Sequence, residues 1–291
     1  MNKKVAVVTD SNSGITQQQA EELGISVVPM PFDVAGQTFY EDINLTQEQF
    51  YEKLAQDVDI ITSQPSPESV TALWERLLQE YDEVVHIPMS SGLSGSCQTA
   101  VMLAEEYGGR VQVVNNQRIS VTQRRSVLDA LEMRERGMSA SEIREFLERV
   151  RLESGIYIMV DTLKYLRKGG RITPAAAALG TLFRIKPVLQ IHGERLDAFA
   201  KARTVQQAKS LMLNALKNDI EHTSGGEVDV DDIHFQIAHT CNEEEAMDLK
   251  QQMQEMFLGC GEIYVDRLSL SVSCHIGPGA LAVAYTRKVR F

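Results

Sequence analysis

Three short apolar runs constrain the fold of this chain most: KVAVVTD at 4–10, VVHIPM at 84–89 and RVQVVNN at 110–116. The first is rich in valine and runs into Thr9, Asp10 and Ser11 with Gly14 just beyond, and the other two read as further strands of the same kind. Such runs read as strands buried on both faces, which a sheet achieves only when helices cover it on each side. Helical stretches stand between and after them. Residues 16–23 read as a helix. Thr46 to Gln49 fits a capping box, followed by Phe50, Tyr51 and Leu54 on one side. Ser66 and Pro67 open a third helix as N-cap and first residue, with Leu73, Leu77 and Leu78 expected on its buried face. Further helices are predicted over 122–136 and 141–153, the second with a Ser139/Glu142 box. Alternation at this spacing predicts a parallel sheet with helices packed on it. The stretch 25–45, which contains AGQ, predicts a hairpin.

A second pattern begins near residue 155. GIYIMVDT reads as a strand, KYLRKGGRI as a polar helical turn, and IKPVLQI with the stretch after Gly193 as a hairpin. Helix, strand, helix and strand follow, and HIGPGALAVAYTRKV returns to strand. At 291 residues the chain suits two domains. The expectation is an α/β protein with an N-terminal domain over 1–154, mainly parallel and flanked by helices, and a C-terminal domain over 155–291 with a mixed sheet.

Composition removes several classes of function. Lys and Arg number 29 against 40 Asp and Glu, a net charge of −11, which opposes broad binding to nucleic acid or anionic membrane. Cys97, Cys241, Cys260 and Cys274 show no CxxC spacing, and the six histidines form no HExxH, so no metal site is expected. Neither GxxxxGK[ST] nor a dinucleotide fingerprint occurs, so no cofactor is expected. The opening MNKKVAVVTD lacks the apolar run of a secretory signal, and no apolar run is long enough to span a bilayer. The expected location is cytoplasmic, with reduced thiols.

The densest polar constellation lies where predicted strands meet helices. Thr62, Ser63 and Gln64 precede the Ser66–Pro67 helix start, and Ser90, Ser91, Gly92, Ser94, Gly95 and Ser96 fill a seven-residue segment. Open α/β sheets bind ligands at the carboxyl ends of their strands. A helix N-terminus offers unpaired N–H groups and a partial positive charge, glycine lets the backbone approach, and hydroxyls add donors. Together these suit a phosphate or a carboxylate; helix capping alone is the competing account. GLSGS nearly matches GxSxG, which raises a serine-dependent hydrolase or acyltransferase using Ser94, although Ser96 replaces the second glycine. In DTLKYLRKGGRI, helical spacing puts Lys164, Arg167, Lys168 and Arg171 on one face. Cations complementing a helix C-terminus are the ordinary explanation, and a docking face the alternative. In HIGPGAL, His275 precedes a Gly-Pro-Gly turn that sets its imidazole against a ligand or a structural neighbour.

These pieces together resemble the DegV family of bacterial fatty-acid-binding proteins. The matching motifs are TDS at 9–11, TSQPS at 62–66, SSGLSGS at 90–96, DTLKYLRKGGRI at 161–172, IKPVL at 185–189 and HIGPGAL at 275–281. Six in order span nearly the whole chain. The resemblance implies two α/β domains with a long-chain fatty acid such as palmitate in the cleft between them. It places the carboxylate on Thr62 and Ser94, with His275 near the same head group and Ser91 and Gly95 as possible additions. It further implies no catalysis by this chain. The partner the resemblance implies is an ATP-binding fatty acid kinase subunit, with the acyl phosphate expected to go to phospholipid synthesis. Lys164, Arg167, Lys168 and Arg171 are then candidates for docking that kinase or for transient membrane contact. The chain departs from the pattern at two places: Ser96 and Cys97 stand where Thr-Tyr is common, and Ile276 where Thr is common.

Overall fold

The structure is a computed structural model that describes residues 3–56, 58–174, 176, 185–224 and 229–290. Met1, Asn2 and Phe291, at the ends of the two expected domains, lie outside them. The chain forms two compact units. The first comprises Met1–Arg151 with Ser269–Ser271, and the second Leu152–Leu268 with Val272–Phe291.

In the first unit the chain runs β1 (Val5–Asp10), α1 (Gln17–Leu23), β2 (Ser26–Val28), β3 (Pro31–Val34), β4 (Gln37–Tyr40), α2 (Gln47–Ala55) and β5 (Ile60–Thr62). It continues through α3 (Pro67–Leu77), β6 (Glu83–Ile87), α4 (Ser96–Ala104), β7 (Val111–Val113), α5 (Ser120–Glu135) and α6 (Ala140–Arg149). Strands β2, β1, β6 and β7 lie in that order, all parallel. Every residue of β1 is buried, the apolar Val5–Val8 and also Thr9 and Asp10 at its carboxyl end, as expected of a strand between two helical layers. Ala6, Val8 and Val84 face α3 and α4 through Val70, Trp74, Cys97 and Ala100, while α5 packs on β1 and α6 on β6.

Two expectations are corrected here. The buried face of α3 centres on Val70 and Trp74, with Leu73, Leu77 and Leu78 only partly buried beside it. The indole is the largest apolar surface on that helix, and its burial sets the rotation. The stretch 25–45 is also more than one hairpin. β2 joins the parallel sheet, and β3 and β4 form the hairpin through Ala35 and Gly36, both at positive φ (54° and 82°). That pair of dihedrals suits the twist of a two-residue hairpin. β5 then pairs with β3, with Thr62 opposite Phe32.

The second unit runs β8 (Ser154–Met159), α7 (Lys164–Gly169), β9 (Lys186–Ile191), β10 (Leu196–Ala202), α8 (Val205–Ser224) and β11 (Ile233–His239). It ends with α9 (Glu243–Met256), β12 (Tyr264–Arg267), α10 (Leu270–Ile276) and β13 (Leu281–Arg287). The strand order is β10-β9-β8-β13-β11-β12, antiparallel except for β11 with β12, which makes the sheet mixed. Ala208, Met212, Leu216 and Ile220 of α8 recur every fourth residue and are fully buried. Lys209, buried beside them, is ion-paired with Glu245 and Asp248 of α9. The sequence does not predict the helix at 270–276. Seven residues are too few to show a period, and the apolar positions there read equally well as strand.

Candidate functional site

The Ser90–Ser96 segment leaves β6 and turns into α4. Its start is held by a buried carboxylate: Met89 N donates to Asp10 Oδ2 at 2.8 Å, and Ser90 N donates to the Arg118 carbonyl at 2.9 Å. Asp10 Oδ1 also accepts from Asn12 N, Asn12 Nδ2 and Gln123 Nε2. Burial pushes the Asp10 carboxyl above its ordinary pKa, and these donors oppose the rise. Asn12 in turn accepts from the Ser271 hydroxyl at 2.6 Å, and Leu270 N donates to Glu41 Oε2 at 2.8 Å. The first residues of α10 are thereby tied into the first unit.

Within the segment, Leu93 N and Ser94 N both donate to the Ser90 carbonyl, and Gly92 N to the Ser90 hydroxyl. Ser94 Oγ accepts from Ser96 N at 3.2 Å. A hydroxyl that accepts in this way keeps its own proton to donate. The N-cap of α4 is Gly95, without a side-chain cap, so the helix start presents backbone donors beside Ser94. Ser91 and Ser94 are half-buried and Gly95 is exposed.

The TSQPS segment meets this loop. Thr99 Oγ1 donates to Gln64 Oε1 at 3.1 Å, and a Cβ on Gly95 would stand 3.4 Å from the same oxygen. Thr62 ends β5, two residues before Gln64, and Ser63 N donates to the Pro31 carbonyl at 3.1 Å. Ser66 caps α3 through Ser69 N, with Pro67 in the first turn, as the sequence predicts. A groove of about 540 Å³ adjoins the segment, with Val27, Pro29, Tyr40 and Leu73 among its apolar walls and Ser63 and Gln64 on its polar side.

The same geometry bears on the GxSxG resemblance. Ser94 Oγ is bonded to the amide of Ser96, and the Asp10 carboxylate is engaged by amide donors. No hydrogen bond from Ser94 to an imidazole or carboxylate occurs among the described residues, so the nucleophile–base pair of a hydrolase is not formed there. The neighbouring Cys97 is buried, and its thiol is pushed up to about 12, which makes it inert.

In the second unit two motifs that the sequence presents far apart are packed together. A Cβ on Gly169 would overlap His275 Nδ1, and one on Gly277 would overlap the Tyr165 ring. Only glycine admits these approaches. His275 sits in the last turn of α10, where the sequence predicts only the start of a turn. Burial pushes its imidazole down to about 4, and the charge of Arg171 adds to the effect. The imidazole is therefore neutral at pH 7, with one N–H to donate. Thr240 and Asn242 pin the Gly-Pro-Gly turn. Thr240 Oγ1 donates to the Gly277 carbonyl at 2.6 Å, Gly279 N donates to the Thr240 carbonyl at 2.7 Å, and Asn242 Nδ2 donates to the Gly279 carbonyl at 3.1 Å. Sequence reasoning assigns nothing to this stretch, whose only signal is polar residues at a strand end.

The four cations do not share one helical face. Lys164, Arg167 and Lys168 are exposed or half-exposed on α7, but Gly170 adopts φ 66° and ends the helix before Arg171. Arg171 instead turns back, its guanidinium donating to the Gly169 carbonyl, and acts on His275. Among the described residues no group of three or more His, Cys, Asp or Glu side chains could hold a metal ion. No helix among them is long and apolar enough to cross a membrane.

A family model described as "Uncharacterised protein, DegV family" matches residues 4–288. The chain belongs to the DegV family. It is 32% identical over 282 residues to a DegV domain-containing protein of Deinococcus radiodurans, covering 96% of this chain and 97% of that protein. The fold is similar to a solved structure described as fatty acid binding of a DegV family protein from Thermus thermophilus. The TM-score is 0.89 at 31% identity, over 98% of this chain and 99% of the other. It is also similar to Bacillus subtilis DegV, described as a fatty acid binding protein, with a TM-score of 0.85 at 28% identity over 98% and 100% of the two chains.

Proposed function

We propose that this chain is a fatty-acid carrier. Thr62 and Ser94 donate hydrogen bonds to the carboxylate of a long-chain fatty acid, Ser91 and Gly95 complete the cradle, and neutral His275 donates to the same head group. The observation that carries this reading is the Ser94 hydroxyl. It accepts the Ser96 N–H at the start of α4, where the N-cap Gly95 has no side chain to offer, beside the TSQPS segment, and keeps its proton for an anion. At Thr62, Ser91, Ser94 and Gly95 the cradle offers amides and hydroxyls, which suits a carboxylate that must later be released or phosphorylated.

The alkyl chain provides most of the affinity. About 0.8 kcal/mol per buried methylene gives roughly 12 kcal/mol for about 15 of them, against roughly 4–15 kcal/mol lost on association. The head-group bonds then set orientation. In this reading the chain performs no chemistry itself. It presents the carboxylate to a separate ATP-binding kinase subunit, and the acyl phosphate serves phospholipid synthesis. Lys164, Arg167 and Lys168, on a protein of net charge −11, support a role in steering that partner or a transient membrane contact.

Mass spectrometry of the organic extract of the purified protein tests the ligand class, with a long-chain fatty acid expected. Titration with a labelled fatty acid tests the site. A hydrogen bond to a charged group is worth about 1.5–3 kcal/mol, so Thr62→Ala or Ser94→Ala should weaken binding roughly tenfold or more. Unchanged affinity in both variants rules the assignment out. A serine-directed probe that labels Ser94 with turnover of an ester would replace the carrier by a hydrolase.

A further inference from the structure

We infer that one buried water molecule joins His86 of β6 to Ser96, the first residue of α4. A cavity of about 10 Å³ in the first unit is lined by His86, Ser96, Thr99 and Asp10 among apolar neighbours. That volume accepts about one water, and a buried water needs two to four polar partners. His86 is only 3% exposed, and neither of its ring nitrogens has a hydrogen-bond partner. The Ser96 hydroxyl is likewise buried and unpartnered.

Three groups around the cavity decide how a water fits. His86 is held neutral by burial, so its ring offers one donor and one acceptor. Its orientation is restrained by the Trp74 indole, which meets it edge-on at 5.6 Å between centroids. The Thr99 hydroxyl donates to Gln64 and keeps lone pairs for a third bond. The Asp10 carboxylate, by contrast, already accepts from Met89, Asn12 and Gln123. A water between imidazole and serine satisfies groups that otherwise stay buried without partners, which folded proteins avoid. It also fastens the first residue of α4 to the sheet, two positions from Ser94, whose hydroxyl bonds the Ser96 amide. The inference does not depend on the fatty-acid reading and holds for lipid-free protein.

The test is a crystal structure of the full chain at a resolution that places ordered water. The expected result is one density peak within hydrogen-bond distance of a His86 ring nitrogen and Ser96 Oγ. No peak, or a His86 nitrogen bonded directly to Ser96, overturns the inference. In solution, NMR cross-relaxation between the His86 ring N–H and a long-lived water gives the same answer without crystals. That signal should be present in the wild type and lost in His86→Phe, and its absence from the wild type overturns the inference. If His86→Phe fails to fold, Ser96→Ala serves as the second variant and should shorten the residence time of that water.

Discussion

Ser94 and His86 show how the immediate surroundings of one side chain set its chemistry. Ser94 accepts from a helix amide and keeps its own proton; in the proposed carboxylate site a threonine, with the same hydroxyl, should therefore hold affinity better than alanine. Ser94→Thr is expected to lie between wild type and Ser94→Ala in the labelled-lipid titration. His86 is kept neutral down to about pH 4 by burial, whereas the unfolded chain protonates its histidine near 6.5. Between those values the unfolded state binds more protons, so stability falls as pH falls through that window. Asp10 works in the opposite direction, because its raised pKa lets the folded state take a proton first as the pH drops. Removing the histidine isolates its share. At pH 5, well below the ordinary histidine value, that share is roughly 2 kcal/mol. Urea unfolding at pH 7 and pH 5 should show a shallower loss in His86→Phe than in wild type by about that amount. Equal losses would mean that the imidazole protonates in the fold as easily as outside it.

The contact of α7 with the turn after α10 depends on glycines whose substitutions should differ in kind. Gly277 combines φ 82° with a Tyr165 ring that occupies the space a Cβ would take, so Gly277→Ala should cost at least about 2 kcal/mol in chemical denaturation. Gly170 has φ 66° but open space around it, and Gly170→Ala should cost only about 1 kcal/mol. Gly169→Ala forces the His275 ring aside. Its effect on acyl-phosphate formation with a partner kinase should therefore match that of His275→Ala, and full activity in Gly169→Ala would remove His275 from the reaction. At the exposed end of α7, charge reversal of Arg167 and Lys168 to Glu should slow association with the proposed kinase partner at low salt and less at high salt, because exposed charge acts through a screened field. Wild-type association rates at low ionic strength would leave these residues as a solvated helix end.

For the whole molecule, a ligand that binds only the folded state stabilises it by mass action, about 2.7 kcal/mol at a hundredfold excess over Kd. Stripped of lipid, the protein should unfold at lower temperature, and adding a long-chain fatty acid should restore the transition, while a fatty alcohol of equal length should restore less. Equal restoration by both would show that the carboxylate is not recognised. The strand–helix alternation, the capping boxes at Thr46 and Ser139 and the Ser66–Pro67 start were legible in the sequence. Each is a local signal, fixed by side chains within one or two turns of the same backbone. The segments proposed as a cradle also stand out in the sequence, since hydroxyls and glycines concentrate in few positions. The tertiary structure alone decided the rest. The rotation of α3 onto Trp74, the anchoring of Met89 by Asp10, the burial of His86, and the meeting of Gly169 with His275 each join residues distant along the chain. No local pattern encodes such pairs, because their energies come from burial and close approach that arise only once the sheets and helices have packed.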